Sequence, residues 1–135
     1  LNRLIIPRKI YDDMINYCYA CLPNEACGIL GGIGPDIKEI YKMTNIENSS
    51  VTYMMDPAEQ FKIMKIIRMN NLSLTAIFHS HPSSPAYPSP KDTSLAFYED
   101  SFYVIISISD KLPETKAFSI KRQKEIQEVE ILIKD

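Results

Sequence analysis

Nothing in the 135 residues approaches the run of ~20 apolar side chains that a membrane-crossing helix requires. The N-terminus also lacks the charged-then-apolar order of a secretory signal, so the expected setting is the cytoplasm, with no membrane partner. Positive charge is not in surplus: 15 lysines and arginines stand against 17 acids, for a net charge of −2. That balance argues against nucleic acid as a partner, because phosphate binding needs a basic patch. Cysteine is scarce and poorly arranged. Cys18, Cys21 and Cys27 are odd in number and crowd into one short segment, which makes no disulfide framework. Cys18-x-x-Cys21 has no second pair with which to enclose a metal, and the thiols are expected to pack as small apolar groups. No repeat, low-complexity tract or long linker divides the chain.

What remains is ordinary for a globular protein, with 45% hydrophobic and 24% charged residues. A chain of this length can bury a core without disulfides or a structural metal, and it is read as one domain over residues 1–135. Pro7 followed by Arg8 to Leu22 reads as a first helix, with Pro7 in its first turn and Ile10, Met14 and Cys18 on one face. Ala26 to Ile33 reads as a core strand that turns through Gly34-Pro35-Asp36 into a second strand, Ile37 to Thr44. The glycines at 31, 32 and 34 are explained by that turn without a phosphate ligand.

Val51 to Met55 reads as a short third strand, and Asp56-Pro57-Ala58-Glu59 as the capped start of a helix that ends at Asn70-Asn71. Leu74 to Phe78 is unbroken apolar sequence, the pattern of a central strand buried on both faces. A third helix is expected from Pro90 to about Glu99, then strands at Phe102 to Ser107, Thr115 to Ile120 and Ile126 to Ile133. The last segment also fits a helix through Ile126, Val129 and Ile133; its alternation is read as strand. The sum is an α/β fold, an α-β-α sandwich in which a mixed β-sheet is flanked by helices.

Histidine is rarer still. Both copies, His79 and His81, sit two apart directly after the apolar run. Residues i and i+2 of an extended chain point to one face, so two imidazoles leave the strand end side by side. Asp92 follows at what reads as a helix start, with Ser89 as N-cap and Pro90 at the first helical position. Two neutral nitrogens and one carboxylate make three ligands of a four-coordinate zinc site whose fourth position is left for water, as in catalytic zinc. The same residues admit a plainer reading. Strand-end histidines are common, and Ser89-x-x-Asp92 is also a simple cap in which Asp92 reaches back to the backbone.

The wider pattern, His79-x-His81-x7-Ser89-x2-Asp92 with an upstream glutamate in Asn24-Glu25-Ala26-Cys27-Gly28, resembles the JAMM motif of the MPN+ metallopeptidases. Its form is most similar to the small prokaryotic members linked to ubiquitin-like sulfur-carrier proteins. The resemblance implies the MPN fold, shared with cytidine deaminases, and one Zn2+ per chain held by His79, His81 and Asp92. It implies that Glu25 takes a proton from the zinc-activated water and hands it to the departing amine. It also implies that the Ser89 hydroxyl donates to the oxyanion. The cap and the oxyanion role coexist, since one uses the oxygen as acceptor and the other uses the proton. Ser80, facing away from the two rings, is expected to be structural.

The implied reaction is hydrolysis of a peptide or isopeptide bond after the C-terminal tail of a ubiquitin-like or sulfur-carrier protein, the extended tail being bound by strand addition. Eukaryotic deubiquitinating relatives grip ubiquitin with insertions that this short chain has no room for, which favours a small bacterial or archaeal carrier. Two other functions compete. A zinc deaminase would need a Pro-Cys-x-x-Cys turn and a His-x-Glu motif, and neither occurs. A non-catalytic MPN scaffold usually lacks a ligand, whereas every motif position is filled here.

Overall fold

Alternation of apolar residues decides most of the architecture. The computed structural model describes residues 3–135; Leu1 and Asn2, within the span expected to form one domain, lie outside the described residues. In chain order the elements are β1 (Arg3–Pro7), α1 (Arg8–Ala20), β2 (Cys27–Ile33), β3 (Asp36–Met43), α2 (Pro57–Met69), β4 (Ser73–His81), α3 (Pro90–Ser94), β5 (Phe102–Ser107), β6 (Glu114–Lys121) and β7 (Glu125–Lys134). The strands pair in the order β1-β3-β2-β4-β5-β6-β7. β4 and β5 are parallel neighbours at the middle, and antiparallel pairs flank them. The sheet curls far enough for β1 to run parallel to β7 and also to bridge β3 at Ile5 and Asp36. It is the mixed sheet with flanking helices that the sequence leads one to expect.

Two apolar layers form, one on each face of the sheet. Leu30, Ala76, Phe78, Val104 and Ile106 face α1, which contributes Met14 and Cys18, one helical turn apart. Cys27, Ile29, Ile77, Tyr103 and Ile105 point the other way, towards Ile67 of α2. Each fully buried Leu, Ile or Phe contributes about 1.5–3 kcal/mol relative to exposure. The close fit of β2 between β3 and β4 depends on Gly28: a Cβ there would strike the Phe78 ring and lie 2.6 Å from the Tyr41 carbonyl oxygen. Gly34 makes the β2–β3 turn at φ +57, which a side chain would strain. Among the described residues no helix is long and apolar enough to cross a membrane.

The structure departs from the sequence expectation in three places. Residues 3–7 form a strand, in which Leu4 and Ile6 are fully buried; Pro7 is its last residue and the N-cap of α1 rather than part of the first turn. Val51 to Met55 is not a regular strand: an isolated bridge pairs Met55 with Asn45, and the Asn45 side chain bonds Thr52 and Met54. α3 stops at Ser94 rather than near Glu99. Other contacts take the groups that a longer helix would pair: the Tyr98 N–H donates to the Tyr103 hydroxyl at 3.0 Å, and the Ser94 carbonyl accepts from the Gln123 side chain.

Candidate metal centre

His79 and His81 end β4, held between β2 and β5, so their positions are set by two ladders. Both are buried, at 1% and 3% exposure. Asp92 arrives from another direction, in the first turn of α3. There the Ser89 hydroxyl accepts the Asp92 N–H at 3.0 Å, and Asp92 Oδ2 accepts the Ser89 N–H at 2.9 Å. This reciprocal cap aims the carboxylate at the rings: Oδ2 lies 3.0 Å from Nε2 of His79 and 3.0 Å from Nε2 of His81. The two Nε2 atoms are 3.1 Å apart. The capping and ligand readings of Asp92 are thus not alternatives, because the cap sets the direction of the ligand.

The tautomer of His81 decides what this triangle suits. Nδ1 of His81 donates to the Pro85 carbonyl at 2.7 Å, so in the neutral ring Nε2 carries a lone pair, pointed at the lone pairs of Asp92 Oδ2. Acceptor facing acceptor at 3.0 Å is repulsive unless a positive charge lies between them. A tetrahedral zinc with ligands at ~2.0–2.1 Å holds its donor atoms ~3.3 Å apart, close to the spacings found. His79, His81 and Asp92 form one group of donor atoms able to hold a metal ion, and their chemistry fits one.

Protonation states follow from burial and neighbours. Burial lowers the pKa of His79, leaving its ring neutral, while its Nδ1 finds no partner. At His81 burial also opposes charge, but the contacts to Asp92 and the Pro85 carbonyl outweigh it and the pKa is raised. Asp92 is likewise opposed by burial, yet its bonds to both histidines hold it far below the usual carboxylate range. It stays an anion.

Glu25 stands apart from the triangle but on its side of the sheet. Cys27 of β2 pairs with His79, and continuing that antiparallel register places Glu25 across from His81. It is only 3% exposed, and its Oε1 has no hydrogen-bond partner. Burial pushes its pKa up to about 8, with the nearby His81 working the other way. Ser80 points to the opposite face, where its hydroxyl accepts the Ala26 N–H at 2.8 Å; this is the structural use expected of it.

Two neighbours of the site carry no signal in the motif. Tyr53 stacks on His79, with ring centroids 4.5 Å apart and planes 25° from parallel. Asn45 hydrogen-bonds the Glu25 carbonyl at 3.1 Å. Both lie in a segment without regular periodicity, so only the folded chain brings them to the centre. A cavity of about 220 Å³ opens beside Asp92, lined by Tyr53, Met55, Leu95, Phe97 and Tyr98 among others.

Three converging donors with a buried acid on the same face are the working parts of a metallohydrolase. Residues 7–121 match the family described as prokaryotic homologs of the JAB domain, and the chain belongs to that family, a small prokaryotic JAMM/MPN type. It is similar to the CysO-cysteine peptidase of Mycobacterium tuberculosis, 36% identical over 109 residues that cover 79% of this chain and 75% of that protein. It is also similar to the desampylase of Pyrococcus furiosus, 33% identical over 132 residues, or 98% and 91% of the two chains. The solution structure of a Desulfitobacterium hafniense protein, 37% identical, superposes with a TM-score of 0.87 over 98% of this chain and 93% of that one.

Proposed function

We propose that this chain is a zinc-dependent hydrolase that cleaves the peptide or isopeptide bond after the C-terminal tail of a ubiquitin-like, sulfur-carrier-type protein. The observation that carries the reading is the set of three donor atoms 3.0–3.1 Å apart, with Nδ1 of His81 held by the Pro85 carbonyl and a buried glutamate on the same face. His79, His81 and Asp92 would hold one zinc ion per chain. Bound there, zinc lowers the pKa of a water to about 7 and polarises a carbonyl.

The chain's own residues supply the rest. Glu25, poorly solvated and with a free oxygen, takes the proton of the attacking water and returns it to the leaving nitrogen. The Ser89 hydroxyl uses its oxygen as acceptor for the cap, which leaves its proton to donate to the oxyanion that forms on the substrate carbonyl. Pro85 and Tyr53 fix the two imidazoles, one through Nδ1 and one by stacking. A substrate tail bound in extended form, as in strand addition, would reach the site past the cavity beside Asp92. Two relatives, a CysO-cysteine peptidase and a desampylase, support by their names the carrier-protein class of substrate. A cytoplasmic setting goes with this reading, since Cys18, Cys21 and Cys27 are all free thiols.

The test is hydrolysis of a ubiquitin-fold carrier ending in Gly-Gly, extended by cysteine in one substrate and joined to a lysine side chain in another. Cleavage of either by zinc-loaded protein, abolished by a chelator and restored by zinc, is expected. Intact substrates in both arms with zinc fully bound would reassign the chain to the scaffold class.

A further inference from the structure

Glu25 sits just ahead of β2, outside its ladders, and Oε1 of its carboxylate has no hydrogen-bond partner to steer it. Its aim therefore depends on its backbone, and that backbone is gripped from both sides. On one side Ala26, the next residue, exchanges two bonds with Ser80: the Ser80 hydroxyl accepts its N–H at 2.8 Å, and its carbonyl accepts the Ser80 N–H at 3.0 Å. On the other side a single loop holds Glu25 itself. The Glu25 N–H donates to the Ser49 carbonyl at 2.8 Å, and the Glu25 carbonyl accepts from Asn45 Nδ2 at 3.1 Å.

The Asn45 side chain has nothing left over. Nδ2 also donates to the Thr52 carbonyl at 3.0 Å, while Oδ1 accepts the N–H of Glu47 at 3.0 Å and of Met54 at 3.1 Å. An amide offers two donors and two acceptor positions, and all four are used. Three of them fold the segment that carries Tyr53 over His79; the fourth reaches Glu25. Asn45 is the one side chain that joins this segment to the acid.

We propose that Asn45 is a positioning residue for the reaction, holding the Glu25 carboxylate in register with the two histidines and tying it to the loop beside the substrate cavity. The inference rests on Glu25 being the proton carrier. A merely architectural Asn45 would keep the loop folded and act on binding; a positioning Asn45 acts on turnover, and only through Glu25.

Asn45→Asp separates the two. It keeps an acceptor for the Glu47 and Met54 N–H groups, two of the three bonds that fold the loop, and it turns the contacts to the Glu25 and Thr52 carbonyls into oxygen facing oxygen. The probe is the ubiquitin-fold carrier ending in Gly-Gly and extended by cysteine. Expected are unchanged zinc content, a KM within about threefold of wild type and a kcat lower by about tenfold or more, since a small misplacement of a reacting group costs that much. In a Glu25→Gln background the same change should have no further effect on the rate, because residues that act as a unit are not additive.

A raised KM with kcat kept, or an equal fold-loss in the Glu25→Gln background, overturns the proposal. A wild type that leaves the carrier intact, or a fully active Glu25→Gln, takes down the functional reading and this inference with it. Wild-type cleavage, an impaired Glu25→Gln and an unimpaired Asn45→Asp strike the inference alone. Should Asn45→Asp fail to fold, Asn45→Ala is carried through the same cycle under the same criteria.

Discussion

β4 is buried on both faces, yet its two faces are built to opposite rules. Towards α1 it presents Ala76, Phe78 and Ser80, and the one polar group among them is satisfied by Ala26. Towards α2 and α3 it presents Ile77, His79 and His81, and there polar groups collect without full satisfaction: Nδ1 of His79 and Oε1 of Glu25 have no partner, and the ring nitrogens and Asp92 crowd within 3.0–3.1 Å. Burial of an unpaired polar group costs about 1–3 kcal/mol. A protein core avoids that cost on one face of the same strand and accepts it on the other, the face that carries the three donor atoms able to hold a metal. Burial therefore does not tell fold from function here; satisfaction does.

Changes on the histidine face should remove chemistry, and changes on the α1 face should remove stability. The largest effect belongs to the donor set. His81→Ala or Asp92→Ala should lower bound zinc from about one per chain to near zero by metal analysis and abolish hydrolysis; full occupancy in either variant would detach that residue from the centre. Next comes Glu25→Gln, which should keep the zinc and lose at least ~100-fold in kcat. Ser89→Ala should lose ~10–100-fold in kcat and about 1 kcal/mol of stability, having lost both the oxyanion donor and the cap, and Ser89→Thr should restore both. An unchanged rate in Ser89→Ala would leave that residue with capping alone.

Smaller effects appear in the metal-free protein. Because burial pushes Glu25 up to about 8 from an ordinary 4.5, the native state keeps a proton that the unfolded chain gives up. Its contribution is intact below about pH 4.5, declines as pH rises towards about 8 and is level above that. Glu25→Gln has no such slope, so denaturant unfolding of the two proteins should diverge across that window, by on the order of a few kcal/mol at its upper end. Parallel curves would mean that the carboxylate is solvated after all. On the other face, Ser80→Ala strands the Ala26 N–H and should cost about 1–3 kcal/mol in unfolding free energy with zinc content unchanged. A loss of zinc in this variant would blur the division between the faces.

Much of this was legible in the residues. The apolar run ending at Phe78 announced the central strand, the spacing of His79 and His81 put both rings on one face, and Ser89-Pro90-x-Asp92 announced a capped helix start. The strand at 3–7 was not, because its alternation spans too few residues to separate from the helix that follows. The early end of α3 follows from the bonds that Tyr98 and Ser94 make to Tyr103 and Gln123, contacts that no local pattern contains. Asn45 and Tyr53 were invisible for the same reason: their contacts to Glu25 and His79 cross 20 and 26 positions of chain, within a stretch whose irregular backbone leaves no period to read.

Composition and spacing by themselves made His79, His81 and Asp92 candidates to hold a metal and gave the elements they ride on, because those depend on local rules of alternation and capping. Only the tertiary fold decided that the acid at position 25 falls across from His81, is stripped of water and is held from the flank by Asn45. Desolvation and register are properties of the assembled sheet, created when β2 and β4 close on each other, and no single segment contains them.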